Sequence, residues 1–394
     1  MTFPPLPTER PLLDPASEYA KWQTVEPIRR VTVWGDNSPW LITRHQDARA
    51  VLDDPRFSAD ATREGFPGLS PRVPPPGPGQ FFVMDPPDHT RLRRMVVPDF
   101  TFRRIERLRP AIARICGELL DTMTADGRAE ADLVEAYALP QPTRVICELL
   151  GVPYEDHAFF QRQVRTLTDF ASDTPQDMLA ARKALYGYLG ELLATRSREP
   201  ADDLISRLAT ERVATGEATA EEAVGVAALL LVAGHETTAN MFPLAVVALL
   251  RHPGQLAALR ADPDRWPDAV EELLRYLTVA HAGMRRIATE DVDLGGVLIR
   301  AGDGVVVALQ AADRDPAVFA DPDTLDIRRD AAGHLAFGHG LHQCVGQSLA
   351  RAELQIGLPA LFDRLPGLRL TEPVDRLPRS TSAIHGLRSL PVTW

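Results

Sequence analysis

The sequence predicts a mainly α-helical protein with small β-sheets, organised as a single domain over residues 1–394. Three observations lead there. Residues 219–250 carry the longest helical pattern, and 223–232 are apolar all round, as in a helix buried on every side. Amphipathic helical patterns fill 104–152 and 154–198. Strand signals are short and come in pairs: Val31-Thr32-Val33-Trp34 with Trp40-Leu41-Ile42-Thr43, and Val292-Asp293-Leu294 with Val297-Leu298-Ile299. Length alone allows two or three domains, but no low-complexity linker or internal repeat divides the chain. A hydrophobic content of 45% is ample for a sizeable core.

In chain order, residues 1–30 are Pro-rich and irregular, then weakly helical. The first residues lack the basic and apolar stretches of a signal peptide. The first strand pair turns at Gly35-Asp36-Asn37-Ser38, and Gln46 to Leu52 is a short helix. Residues 59–80 hold so many prolines and glycines that neither helix nor central strand can form. A loop of that length in a compact protein is a functional lid or disordered. Pro86-Pro87 sets up a helix start, after which His89 and Arg93 share one face, a cationic pair suited to an anion. A loop between two helices is expected near Ala171-Ser172-Asp173-Thr174-Pro175.

Thr219 and Glu222 have capping-box spacing, which suits the start of the long helix. Its apolar run, 223–234, is too short for a bilayer, which needs about 20 residues. In mid-helix stands Ala233-Gly234-His235-Glu236-Thr237-Thr238, a polar box that burial would penalise without partners. Gly234 is expected to let the helix open locally, and Pro243 to kink or locally break it. Pro267 opens the next helix, on which Glu272 and Arg275 form a pair three residues apart. Gly295-Gly296 closes the second strand pair as a hairpin.

Chemistry concentrates in Phe337-Gly338-His339-Gly340-Leu341-His342-Gln343-Cys344-Val345-Gly346, directly before a helix-forming stretch. Amide N–H groups and the helix dipole aimed at Cys344 would favour its thiolate. The glycines let something flat approach. A thiolate cradled by N–H groups and facing a flat partner is how a protein holds haem iron through sulfur. Cys116 and Cys147 lie in apolar helical patterns and read as core, and no disulfide or zinc spacing exists. A reducing, cytoplasmic setting is expected. The net charge of −11 argues against nucleic acid as a partner.

The loop matches the Phe-Gly-x-Gly-x-His-x-Cys-x-Gly signature of the cytochrome P450 family, which the chain resembles in motif order from about residue 10 to its end. The resemblance implies the P450 fold, with haem b (iron protoporphyrin IX) between a long central helix and the Cys-ligand loop. It makes Cys344 the metal ligand. Asp85-Pro86-Pro87-x-His89 with Arg93 matches the segment that holds the haem propionates, Arg286 the second propionate arginine, and His342 the loop histidine. Arg285 sits one residue nearer the presumed pocket. Phe337, Gly338, Ala233 and Gly234 would lie against the haem, and Glu236-Thr237 match the acid–alcohol pair of the oxygen-binding groove. Residues 381–385 and 390–394 resemble the family's C-terminal hairpin, whose tip reaches the active site, and Val232, Ala233, Val279, Ala280 and Ile384 would line the substrate pocket. Glu272, Arg275 and Arg329 match a buried structural triad, with Leu325 where the family often carries Phe.

The resemblance also implies the reaction: insertion of one atom of O2 into a bulky, mostly apolar small molecule, as a hydroxylation or epoxidation in secondary metabolism. Electrons would come from NAD(P)H through a reductase and an acidic ferredoxin, since the chain carries no flavin domain. Arg91, Arg94, Arg103, Arg104, Arg107 and Arg109 form a basic stretch on an acidic protein, suited to steering that ferredoxin. A monomer without a membrane anchor is expected. A peroxide-dependent peroxygenase and a haem-thiolate sensor are the alternatives. The former carries Arg-Pro where Glu236-Thr237 stand, and the latter has no use for the acid–alcohol pair.

Overall fold

The computed structural model describes residues 3–7, 9–34, 37–68, 75–168 and 174–394. It opens with α1 (Glu18–Val25), β1 (Ile28–Arg30), β2 (Trp40–Ile42), α2 (His45–Asp53) and β3 (Phe57–Ser58). The helical body follows: α3 (Asp88–Val96), α4 (Phe102–Met123), β4 (Glu130–Asp132), α5 (Pro140–Leu150), α6 (His157–Thr168), α7 (Pro175–Arg198), α8 (Leu204–Arg207) and α9 (Ala220–Arg251). Next come α10 (Pro253–Ala261), α11 (Trp266–Leu277), β5 (Met284–Ala288), β6 (Val292–Leu294), β7 (Val297–Ile299), β8 (Gly304–Val307) and α12 (Leu309–Ala312). The chain closes with α13 (Gln347–Arg364), β9 (Arg369–Leu370) and β10 (Pro391–Thr393).

α9 is the axis. The Thr219 hydroxyl accepts from the Glu222 amide, and the Glu222 carboxylate accepts from the Thr219 amide at 2.9 Å, closing the capping box. Its apolar surface is covered on all sides, and α4, α5, α7, α11 and α13 share one core with it. The expected break does not occur: the helix runs without interruption past Gly234 and Pro243. Gly234 serves packing instead, because a Cβ there would come within 2.9 Å of Ile146 Cδ1 on α5. No single helix among the described residues is long and apolar enough to cross a membrane; α9 and α10 pass that test together only across a 99° bend.

The largest sheet has the order β1-β2-β8-β5-β3, with β2 and β8 parallel and the other pairs antiparallel. The first hairpin is shifted from its expected place. β2 pairs with residues 28–30, and the expected strand keeps only looser links: isolated bridges of Thr32 with Pro5 and Trp34 with Asn37, and the Val31 and Val33 amides donating to the Pro39 and Asn37 carbonyls at 3.0 and 3.1 Å. Gly35 and Asp36 of its turn lie outside the described residues, as do 69–74 of the long loop and 171–173 of the helix–helix loop. The second hairpin, β6 with β7, forms around Gly295-Gly296 as expected. At the C-terminus β10 pairs with β4 and β9 rather than with residues 381–385. Those residues fold as bends, tied back by the His385 amide donating to the Val279 carbonyl at 2.8 Å.

Candidate active site

Cys344 is placed by its own loop. Its amide donates to the Phe337 carbonyl at 2.9 Å, and Gly338 and Gly340 take φ of +70° and +67° to turn the chain. A side chain at Gly340 is also blocked by the Leu52 carbonyl, 2.7 Å from an added Cβ. Cys344 retains free surface although it lies deep in the protein, so its sulfur borders an interior space. α13 begins at Gln347, beyond Gly346, so Cys344 precedes the helix rather than opening it. Burial pushes its thiol up, opposed by the Gly346 amide and by Arg93 and Arg351. The dipole alone does not produce the thiolate that the sequence suggested; a cation at the sulfur would have to complete it.

Around that space, polar groups converge from α3, β5 and the Cys loop. Arg93 Nη2 donates to the Gln343 carbonyl at 2.6 Å. The His89 and His342 rings lie 4.2 Å apart, and Phe81 meets His89 edge-on at 6.2 Å. Burial and the neighbouring arginines bring His89 down to about 4 and His342 down to about 3. Burial brings Arg286 down to about 10. Both ring nitrogens of His89, Nδ1 of His342 and Nη2 of Arg286 are buried without a hydrogen-bond partner. Asp85 is the nearby acid, but it is engaged by the Ser58 hydroxyl and by the Ala59 amide at 2.9 Å. No ion pair to Arg93 or Arg286 occurs among the described residues. Strand register settles Arg285: Arg286 pairs with Val305 and Arg285 with Val306, so the two side chains leave opposite faces. Arg285 faces Tyr19 of α1 rather than the histidines.

The polar box of α9 is partly open. Ala233 is exposed, and Glu236 and Thr237 are half-buried, on a helix otherwise enclosed. The Thr237 hydroxyl donates to the Ala233 carbonyl at 2.8 Å. His235 points elsewhere, fully enclosed, with both ring nitrogens unpartnered. Val232, Val279, Ala280 and Ile384 are partly exposed, and the segments carrying the last three meet where His281 Nε2 lies 3.3 Å from the Ser382 carbonyl.

Several groups at this site gave no sequence signal. Asn240 Nδ2 donates to the Glu236 carbonyl at 2.8 Å, while a Cβ at Gly386 would lie 1.8 Å from Asn240 Oδ1. The C-terminal bend thus abuts α9 one turn beyond Glu236. Behind the Cys loop, the Arg351 guanidinium covers the Phe337 ring at 4.6 Å and donates to Glu271 at 2.6 and 2.9 Å. Against burial, hydrogen bonds from His334 and Arg351 bring Glu271 down to about 2. On the outside, Arg91 pairs with Glu222 at 2.5 Å, Arg104 with Asp202 at 3.0 Å, and Arg109 with Glu106 at 3.7 Å. Arg94, Arg103 and Arg107 stay exposed without an ion pair among the described residues.

The donor set fits a haem held through sulfur. The interior space has a sulfur on one side and buried N–H donors at its edge that lack an anion, as carboxylate side groups require. Known proteins agree. A family model described as Cytochrome P450 matches residues 267–383. Cytochrome P450-SU2 of Streptomyces griseolus is 51% identical over 385 residues, which cover 97% of this chain and 94% of that protein. Pentalenic acid synthase of Streptomyces avermitilis is 47% identical, over 97% of this chain and 94% of its own length. The crystal structure of mycinamicin VIII C21 methyl hydroxylase from Micromonospora griseorubida, bound to mycinamicin VIII, superposes with a TM-score of 0.91 at 40% identity and covers both chains fully. With such identity along nearly its whole length and the same fold, this chain belongs to the cytochrome P450 family and is a haem-thiolate monooxygenase.

Proposed function

We propose that the enzyme inserts one atom of O2 into a bulky, mostly apolar secondary metabolite such as a macrolide, another polyketide or a terpenoid, by hydroxylation or epoxidation. It works as a single-domain cytoplasmic monomer, with electrons from NAD(P)H through a reductase and an acidic ferredoxin. The cofactor is haem b, with Cys344 as its thiolate ligand and His89, Arg93, Arg286 and His342 on its propionates. The observation that carries this reading is the set of buried, unpartnered donors at the edge of the space that Cys344 borders. Support for the substrate class comes from the solved relative, a methyl hydroxylase bound to mycinamicin VIII.

When bound, the haem supplies dioxygen binding and its reductive activation, which thiolate ligation favours. The chain does the rest. Arg93 and Arg286 fix the orientation of the group through charged hydrogen bonds. Val232, Val279, Ala280 and Ile384 offer apolar surface to the substrate and exclude water. The Thr237 hydroxyl can both donate and accept. In the resting helix it donates to the Ala233 carbonyl, and rotation about χ1 frees that proton for the adjacent space. Glu236 stands one residue before it as the next proton holder, its backbone carbonyl bonded by Asn240.

The test is Thr237→Ala, assayed with a compound that gives a substrate-type spectral shift. NAD(P)H consumption should continue while product per NAD(P)H collapses and peroxide rises. Full coupling with a lowered melting point would leave Thr237 a structural role only. Cys344→His, checked by the far-red Soret band of the reduced carbon monoxide complex, should lose that band.

A further inference from the structure

α13 leads out of the Cys344 loop and packs against α4 and α9. At its second turn sits Glu353, with 1% of its surface exposed. Its carboxyl bonds the Thr238 hydroxyl of α9, while Oε1 has no partner. The titratable groups facing it are the Cys116 thiol of α4 and, behind that, the Tyr137 hydroxyl, which donates to the Gly357 carbonyl at 2.9 Å. No cation pairs with it among the described residues. An ionised carboxylate in such a place would be very costly. Burial accordingly pushes Glu353 up to about 8. At neutral pH it is a carboxylic acid, able to donate through one oxygen and accept through the other.

Thr238 is the residue next to Thr237, on the turn that carries the acid–alcohol pair. The close fit of α13 to α9 continues one turn further on, where a Cβ at Gly357 would come within 2.8 Å of the Phe242 ring. Glu353 and Thr238 therefore form a polar contact in an interface that is otherwise apolar. Nothing about this contact serves solubility, and an apolar pair would fill the space without a desolvation cost. A hydrogen bond there does what apolar packing does not: it fixes the rotation of α9 about its axis.

We propose that Glu353 is a positioning residue: by bonding Thr238 it sets the turn of α9 that presents Glu236 and Thr237, in register with the helix that leads out of the Cys344 loop. This rests on the reading of Glu236 and Thr237 as the proton-delivering pair. The test is nevertheless made on the helix and not on turnover.

Amide hydrogen exchange of the haem-loaded protein, followed by mass spectrometry, gives the ratio of rates over residues 233–240 to those over 244–249. General destabilisation moves both segments together and leaves that ratio unchanged. Glu353→Leu and Thr238→Val should each raise it about fivefold, the value of one net hydrogen bond. The double variant should go no further, since both changes break the same bond. Glu353→Gln keeps a donor and an acceptor and should hold the ratio at the wild-type value. Raising the pH above 8 should not raise the ratio in the wild type, because the carboxylate that forms accepts from the Thr238 hydroxyl at least as well as the acid does. An unchanged ratio in Thr238→Val overturns the proposal, and so does a Glu353→Gln ratio as high as that of Glu353→Leu. If Glu353→Leu does not fold, Thr238→Val and Glu353→Gln still decide. Loss of coupling in Thr237→Ala is a separate result, so failure of the proton-delivery reading shows there and failure of this one shows in the exchange ratio.

Discussion

Two of the buried charge clusters in the molecule are balanced in opposite ways. In one, Arg275 donates to Glu272 at 2.7 and 2.9 Å, and Arg329 donates to the same carboxylate at 3.2 Å. The surplus arginine donors go to carbonyls: Arg275 to Asp313 at 2.7 Å and to Pro322 at 3.0 Å, and Arg329 to Asp321 at 3.1 Å. The Asp326 amide adds a further bond to Glu272 at 2.9 Å. This cluster is closed within the chain. In the other, His89, Arg93, Arg286 and His342 crowd together, and several of their nitrogens have no partner at all. Burial of charge is common to both. What marks a ligand site is the missing counter-group, because the chain bears the desolvation cost and leaves the compensation to something else.

The sharpest way to break this comparison is to delete one arginine from each cluster. Arg275→Ala leaves Glu272, with no surface exposed, to Arg329 and the Asp326 amide alone, and should cost about 3–5 kcal/mol of stability. Urea melts should show a strongly lowered midpoint or no folded protein. Arg286→Ala should do the reverse in the haem-free protein, which loses an uncompensated buried cation and melts no earlier. Its cost should appear in haem affinity, about 10- to 100-fold for one charge-assisted hydrogen bond. Equal losses of apoprotein stability in the two variants would mean that the clusters are not different in kind.

The sequence made the closed cluster and the Cys loop legible, because both are written in short motifs. α9 was legible from its all-round apolar pattern and its capping box. Elsewhere the outcome depended on distant partners. β1 lies at residues 28–30 and not 31–34, because β2 is locked in parallel register with β8, some 260 residues later, and the hairpin follows that register. β10 found β4 and β9 for a similar reason. Strand preference is largely the preference for a partner, which local alternation does not name. The same holds within the site. Nothing in a linear reading separates Arg285 from Arg286, yet one residue of strand register sends them to opposite faces. Gly234 looked like a weak point in a helix and proved to be a seat for Ile146.

A milder probe of the open cluster is pH. His89 is brought down to about 4 in the folded chain by burial and by Arg93, against about 6.5 when unfolded. The unfolded state therefore binds the proton first. The stability contributed by neutral His89 is complete above pH 6.5 and is lost as pH falls through 4. Haem-free protein should show a falling melting temperature across that window. Haem-loaded protein should show a shallower fall, because an anion among these residues offsets their mutual repulsion. Parallel pH profiles for the two forms would indicate that no anion enters the cluster.

The smallest effect extends the comparison to the surface. The basic stretch looked uniform in sequence, but the fold sorts its members. Arg91 and Arg104 are spent on Glu222 and Asp202, whereas Arg94, Arg103 and Arg107 remain exposed without such partners among the described residues. Beside the exposed three stands Phe102, 74% accessible, an apolar ring among charges. If a ferredoxin docks here, only the uncommitted arginines and that ring are available to it. An exposed ion pair is worth about 0.2–1 kcal/mol, so Arg103→Glu should slow electron transfer only a few-fold. That effect should fade as salt rises, since screening removes the steering it disturbs. Arg104→Glu is the control: it reverses the same charge at a position already neutralised, and should lower the melting temperature slightly because it sets two acids together. The measurement is the rate of reduction by an acidic ferredoxin over a range of ionic strengths. If Arg104→Glu slows reduction as much as Arg103→Glu, net charge alone governs the encounter and the sorting of paired from unpaired arginines has no consequence there. If neither variant changes the salt dependence, the ferredoxin docks on another face.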